Sequence, residues 1–233
     1  MTVSDLELAQ MQAVALFVHD ERGRLLRVNE PDPNDPAPRF FLARTAAGNL
    51  WRTRFDLPPD LATALERLAA DEPVVRDLQE PARHTAEYSA LLQQHAPLRN
   101  IDAGPAYYLP ELDPPTDTVT ITPANATLLA AHYPYTRSRH AELAPVVVCV
   151  AEGVAVAVCC SARMTAQVAE AGVYTVESYR GRGYAAETVR GWAAGIRAMG
   201  RLPLYSTSWA NTASQAVARK LRAVQYAVDF SLT

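Results

Sequence analysis

Val173-Tyr174-Thr175-Val176-Glu177-Ser178-Tyr179-Arg180-Gly181-Arg182-Gly183-Tyr184-Ala185-Ala186 is the stretch on which the reading of this chain turns. A strand-like segment, Ala169 to Val176, runs into a short loop with glycines at 181 and 183. Apolar residues at helical spacing follow at once: Ala185, Val189, Trp192, Ala193, Ile196 and Met199. Gly200 then stands where a glycine would end that helix. Strand, glycine loop and helix in this order set loop N–H groups beside the unpaired N–H groups of a first helical turn, and together they attract an anion. Glycine admits close approach and backbone angles that a Cβ forbids. Arg180 and Arg182 add positive charge at the same place. The pattern lacks the Gly-Lys-Ser/Thr ending of a P-loop and the third glycine of the dinucleotide fingerprint. Taken alone, it fits either a phosphate near a helix N-terminus or a tight turn carrying two solvated arginines.

Downstream, Pro203 to Ser208 is expected as a strand, Thr212 to Leu221 as a helix and Gln225 to Leu232 as a closing strand. Upstream, Val146 to Ala151 and Val154 to Cys160 flank Glu152-Gly153, a two-residue hairpin turn. Thr118 to Thr122 alternates as a strand does, and Pro123-Ala124-Asn125 opens a short helix carrying Leu128 and Leu129.

On these residues the C-terminal half resembles the GNAT superfamily of acyl-CoA-dependent N-acyltransferases. Arg180-x-x-Gly183-x-Ala185 is similar to the Arg/Gln-x-x-Gly-x-Gly/Ala signature that cradles the pyrophosphate of coenzyme A. One helix and one strand later, Asn211-x-x-Ser214-x-x-Val217-Ala218-x-Lys220-Leu221 is similar to the superfamily's final helix. The resemblance covers about Thr116 to Thr233. It implies an α/β (α+β) GNAT fold, with a mixed central sheet, a splayed strand pair and flanking helices. It implies acetyl-CoA as cosubstrate, with no metal. The backbone of Val173, Tyr174 and Thr175 would meet the pantetheine arm and the thioester carbonyl, and an N–H there would stabilise an oxyanion. Arg180, Gly181, Arg182, Gly183, Tyr184, Ala185 and Ala186 would hold the pyrophosphate, and Asn211 and Ser214 would approach the pantetheine. The activity implied is transfer of an acetyl group to a primary amine of a small molecule or peptide by direct attack. A CoA-binding regulatory module with lost or weak catalysis is the alternative.

Two catalytic positions depart from the superfamily pattern or need choosing. Many relatives carry a tyrosine seven residues after the asparagine as general acid, and Ala218 stands there. Ser214, Tyr205 or a water is left to supply the proton. For the general base, Glu170 is the nearest match to a glutamate early in the splayed strand, and Glu177 is a weaker candidate. A bulge would shift the register of Glu170 by one. On strict alternation it shares a face with Gly172 and Tyr174, and the ordinary alternative is a solvent-facing glutamate at a strand start.

The first half carries no motif tied to chemistry. Ala13 to His19 is an apolar run, followed by an Asp20-Glu21-Arg22-Gly23 turn and a returning strand over Arg24 to Val28. Four prolines make 31–38 a loop. A hairpin is expected around Ala46-Ala47-Gly48. Helices are expected over Leu61 to Ala70, with Leu61, Leu65 and Leu68 on one face, and over Arg83 to His95, with Tyr88, Leu91 and Leu92 inward. The proline- and acid-rich stretch 109–117 suggests a boundary between a smaller α+β domain at 1–112 and a GNAT domain at 113–233. The first domain could be a degenerate second copy of the fold, a dimerisation element or a lid over the acceptor cleft.

The 233 residues are 49% apolar and 20% charged, with a formal net charge of -3, an ordinary globular balance. No basic stripe points to nucleic acid. The three cysteines, Cys149, Cys159 and Cys160, lie in apolar surroundings without CxxC spacing, so buried thiols in a reducing cytoplasm are expected. The five histidines show no metal-binding spacing. The N-terminus lacks the character of a signal peptide, and no apolar run is long enough to span a bilayer.

Overall fold

The computed structural model describes residues 3–30, 36–113 and 115–233; most of the proline-rich loop, 31–35, and Pro114 of the boundary stretch lie outside the described residues. The chain forms two compact units. One holds Met1–Tyr107, Ser206–Asn211 and Gln225–Thr233, and the other holds Tyr108–Tyr205 and Thr212–Val224.

The first unit opens with α1 (Asp5–Leu16), started by a capping box. Glu7 N–H donates to Ser4 Oγ, and Ser4 N–H donates to Glu7 Oε2. The apolar run read from Ala13 therefore begins as helix, and strand β1 (Phe17–His19) starts only at Phe17. The helix buries Leu8, Ala9, Gln12, Ala13, Ala15 and Leu16, so it is not a one-sided surface helix. β2 (Leu25–Val28) returns antiparallel to β1 after the expected turn. β3 (Phe40–Thr45) and β4 (Gly48–Thr53) form the expected hairpin. Helices α2 (Pro59–Asp71) and α3 (Thr85–His95) follow, then β5 (Ile101–Tyr108).

In the second unit, β6 (Val119–Thr120), α4 (Pro134–Ser138), β7 (Val147–Ala151), β8 (Val154–Met164), β9 (Val168–Thr175), α5 (Tyr184–Ala198), β10 (Leu202–Ser206) and α6 (Thr212–Lys220) succeed one another. The strands lie in the order β6-β7-β8-β9-β10. Neighbours are antiparallel as far as β9, and β10 is parallel to β9. The sheet is therefore mixed, as expected. A parallel pair needs a crossover, and α5 supplies it. Its buried face, with Val189, Trp192 and Ile196, packs against β7, β8 and β9. Trp192 Nε1 donates to Ser161 Oγ at 3.1 Å, which satisfies the indole inside the core. The β7–β8 turn has Glu152 at φ 53° and Gly153 at φ 80°, the left-handed pair that suits a two-residue hairpin.

The last strand, β11 (Val224–Leu232), lies between β3 and β5 in the first unit, where the order is β4-β3-β11-β5. Phe40, Leu42, Leu65, Tyr88, Leu92, Phe230 and Leu232 are buried together there. Each such side chain contributes roughly 1.5–3 kcal/mol. Buried Arg39 donates to the carbonyls of Leu92, Ala96 and Pro97, which satisfies the end of α3.

Gly104 in β5 is a close-approach glycine. Thr207 N–H donates to Pro105 O and Trp209 N–H to Ala103 O, and a Cβ on Gly104 would lie 1.9 Å from Thr207 O. Gly104→Ala is expected to cost at least about 1–3 kcal/mol in urea unfolding, because backbone must move. Gly23→Ala, strained only by its positive φ with open space around it, should cost about 1–2 kcal/mol. Equal losses would show that the contact at Gly104 is not tight.

Candidate active site

The parallel pairing of β9 with β10 is short. Val168 faces Leu202, Ala169 faces Pro203 and Glu170 faces Leu204, and there the register ends. Beyond it, Ala171 to Thr175 stay paired to β8 as far as Thr175–Ala157. The strands thus part at Glu170, and the expected splayed pair is present. A bulge lies at the same level, but on β8. Ser161 faces Ala171 and Arg163 faces Glu170, so Ala162 is the extra residue. Alternation along β9 is kept, and Glu170 shares a face with Gly172 and Tyr174.

Glu170 is 2% exposed. The solvent-facing placement that a strand-start glutamate usually takes does not apply to it. Its carboxylate lies at the fork, with Leu204 and Arg163 as register partners on either side. Glu177, by contrast, is exposed in a short 3₁₀ turn, Glu177–Tyr179. Along β9, Val173 and Thr175 are half-buried and Tyr174 is 62% exposed.

The loop after this turn presents groups that attract an anion. Gly181 has φ 76° and Gly183 φ 89°, both in the left-handed region. Ala186 N–H donates to Gly183 O at 3.0 Å, the first such bond of α5. Ahead of it, the N–H groups of Gly181, Arg182, Gly183, Tyr184 and Ala185 meet no acceptor among the described residues. They sit at the positive end of the helix dipole. Arg180 Nε donates to Thr175 O at 3.4 Å. Arg182 donates to Ser178 O at 3.1 Å, with its guanidinium 5.0 Å from the Tyr179 ring centroid. The two arginines brace the turn and keep their charge beside it.

Lys220, at the end of α6, adds a third cation. A Cβ placed on Gly183 would lie 2.7 Å from Lys220 Nζ. The glycine therefore leaves room for an ammonium over the loop. Open N–H groups, three cations and a cradle that a Cβ would fill suit a diphosphate. The sequence pattern includes Lys220 only as part of the final-helix signature; its reach to the loop depends on how α6 packs.

A second pairing joins β10 to α6. Tyr205 Oη and Ser214 Oγ are 2.6 Å apart. Tyr205 is 3% exposed, whereas Ser214 is half-buried. Ala218, the departure noted in the final-helix signature, is buried at 1%. Asn211 is exposed one residue ahead of α6, in the segment that belongs to the first unit, and its N–H donates to Ser208 O. Tyr133 stands just ahead of α4. Its hydroxyl donates to Val156 O at 2.9 Å, with Tyr174 O at 3.3 Å. Burial pushes this phenol up to about 12, so it stays a donor at neutral pH.

No family model matches the sequence, and no curated protein matches it. Solved structures show distant likenesses. One is a GCN5-related N-acetyltransferase-like protein from Streptococcus suis, 14% identical over 88% of this chain and 87% of that one, with a TM-score of 0.48. Another is an acetyltransferase from the GNAT family from Colwellia psychrerythraea, 15% identical over 100% and 98% of the two chains, TM-score 0.47. A GCN5-related N-acetyltransferase from Sphaerobacter thermophilus is 16% identical over 64% of this chain and 56% of its own, TM-score 0.46. Likenesses this distant carry no chemistry across; the site's own geometry has to do so.

The cysteines take no part in that geometry. All are buried and free. Burial raises Cys149 to about 11, Cys160 to about 12 and Cys159 well above the ordinary thiol range. Only the thiolate reacts, so none of the three is a nucleophile at neutral pH. A chromogenic disulfide reagent at pH 8 should find no rapidly reacting thiol in the folded protein and all three after denaturation. One fast-reacting thiol in native protein would contradict this burial.

Proposed function

We propose that this chain is an acetyl-CoA-dependent N-acetyltransferase of the GNAT type that acts on a primary amine of a small molecule or peptide. The fork after Glu170, followed by a loop of open N–H groups under Lys220, is the observation that carries the reading. In it, the loop from Arg180 to Ala186 and Lys220 hold the diphosphate of the cosubstrate. Backbone groups of Val173, Tyr174 and Thr175 line the pantetheine, and an N–H among them holds the thioester carbonyl. Bound acetyl-CoA supplies the activated acyl group, and the chain supplies position and protons.

Glu170 accepts a proton from the acceptor ammonium, directly or through water, which frees the nitrogen lone pair for attack. Ser214 donates to the departing thiolate. Tyr205, 2.6 Å behind Ser214, replenishes or orients that proton. The N–C bond forms, the C–S bond breaks and the thiol leaves as CoA; the nitrogen sheds its second proton to water, which returns a proton to the Ser214–Tyr205 pair, and Glu170 gives its proton to solvent. No covalent enzyme intermediate is required, which agrees with three thiols held protonated.

Calorimetry with CoA and a thiol-release assay with acetyl-CoA and a panel of amines test this directly. Gly183→Val should weaken CoA binding at least about tenfold, since it removes the cradle and strains the backbone. Lys220→Met should weaken it by a smaller factor and flatten its salt dependence. Absence of any CoA binding by folded protein would end the proposal.

Glu170→Gln should lower kcat/KM by about 10²–10⁴ and remove the acidic limb of its pH profile, with CoA affinity unchanged. Ser214→Ala and Tyr205→Phe should lower kcat by similar factors. The double variant should fall little further, because the two hydroxyls act as one unit. Additive losses would separate their roles. Tight CoA binding with no turnover on any amine would favour a binding module over an enzyme.

A further inference from the structure

The first unit contains a cleft that the proposed acyl transfer does not use. Its volume is about 440 Å³, and it is lined by Val14, Phe17, Val18, His19, Asn29 and Arg52, with Gly23 at its edge. Val14 is 48% exposed although apolar, and Phe17 and Val18 continue the apolar wall. The polar side is different in kind. Arg52 Nη1 donates to its neighbour's carbonyl, Trp51 O, at 2.7 Å. Its Nε is buried and meets no acceptor among the described residues. No carboxylate of the described residues forms an ion pair with it.

Among the described residues, a guanidinium so placed is an uncompensated cation. Burial pushes it below the ordinary arginine range, the direction opposite to that of an ion pair. His19 is held below the ordinary imidazole range by its own burial and then by the charge of Arg52. Proteins rarely keep a partly desolvated charge without a partner, because leaving it unpaired costs several kcal/mol. An anion entering the cleft would offset that cost, and the apolar wall would offer its body somewhere to bind.

We propose that this cleft binds a small carboxylic acid with a compact apolar body, its carboxylate on Arg52 and beside His19, its hydrocarbon against Val14, Phe17 and Val18. Arginine presents paired N–H donors that match a carboxylate's two oxygens. The apolar wall selects against inorganic phosphate or acetate, which have nothing to place there. The site is separate from the acetyl-transfer reading and does not depend on it.

The test uses the full chain and four probes: benzoate, hexanoate, acetate and inorganic phosphate. Histidine ring signals are followed by NMR, with His19 assigned by its loss in H19Q. Benzoate and hexanoate should move the His19 signal with Kd values on the order of 1 mM, and acetate and phosphate should be at least about tenfold weaker. R52M should lose at least about tenfold in benzoate affinity while its unliganded melting temperature stays level or rises, since an unpaired charge has been removed. A structural arginine would instead lower that temperature. V14D, a change at an exposed position, should also weaken benzoate and serves if R52M fails to fold. No His19 response to either apolar acid at about 10 mM, or an undiminished response in R52M or V14D, overturns the proposal. Phosphate binding as well as benzoate overturns the assigned ligand class.

Discussion

Strands β9 and β10 hold together for three residue pairs and then separate, and the arrangement of the candidate site follows from that separation. Backbone N–H and C=O groups inside a sheet need partners. Beyond Glu170, Thr175 O accepts from Arg180 Nε, and Tyr174 O lies 3.3 Å from Tyr133 Oη. The parting has a local correlate. Ala162 is inserted into β8 at the level where β9 loses β10, and a bulge sharpens twist where it occurs. Glu170 sits at the vertex, buried by both strands, while four residues later Tyr174 is already 62% exposed.

From that vertex the chain reaches the loop within ten residues. Gly181 and Gly183 both take the positive φ that glycine alone readily adopts. The start of α5 adds its dipole. Lys220 closes the far side, at the one place where glycine leaves space for it. The same helix α6 bears Ser214, so one rigid element relates the cation at the loop to the hydroxyl on Tyr205. Ala218 lies on the buried side of α6, where a tyrosine ring would compete with core. The phenol is instead carried by β10, and its hydroxyl reaches α6 through Ser214. In the proposed chemistry, this replaces one side chain by two without moving the helix.

Much of this was legible because it is local. Glycine loop, helix spacing, the Glu152-Gly153 hairpin and the α2 and α3 helices are written in short windows, and the structure has them. What was not legible depends on distance or on competition between signals. The apolar residues of α1 are buried on more than one face, so no helical period stands out, although Ser4 and Glu7 announce the capping box in the sequence. Gly104-Pro105 breaks the pattern of β5, yet the glycine is there because Thr207 O occupies the space of a side chain. The burial of Glu170 could not be read from its neighbours, since it depends on β8 and β10, which pair with it on either side. The contact between Lys220 and Gly183 and the one between Tyr205 and Ser214 arise only when α6 has packed.

The final strand shows the same point at the scale of the whole chain. β11 pairs with β3 from Phe40–Leu232 to Arg44–Val228, and Arg39 N–H donates to Leu232 O at 2.7 Å. The two strands are separated by nearly the full sequence, so their pairing carries a large closure cost and must form late. Phe230 and Leu232 belong to the core that also holds Phe40, Tyr88 and Leu92. The first unit therefore cannot complete its hydrophobic core until the last residues of the chain are available. β11 begins at Val224, a short turn after α6, the helix that bears Ser214 and Lys220.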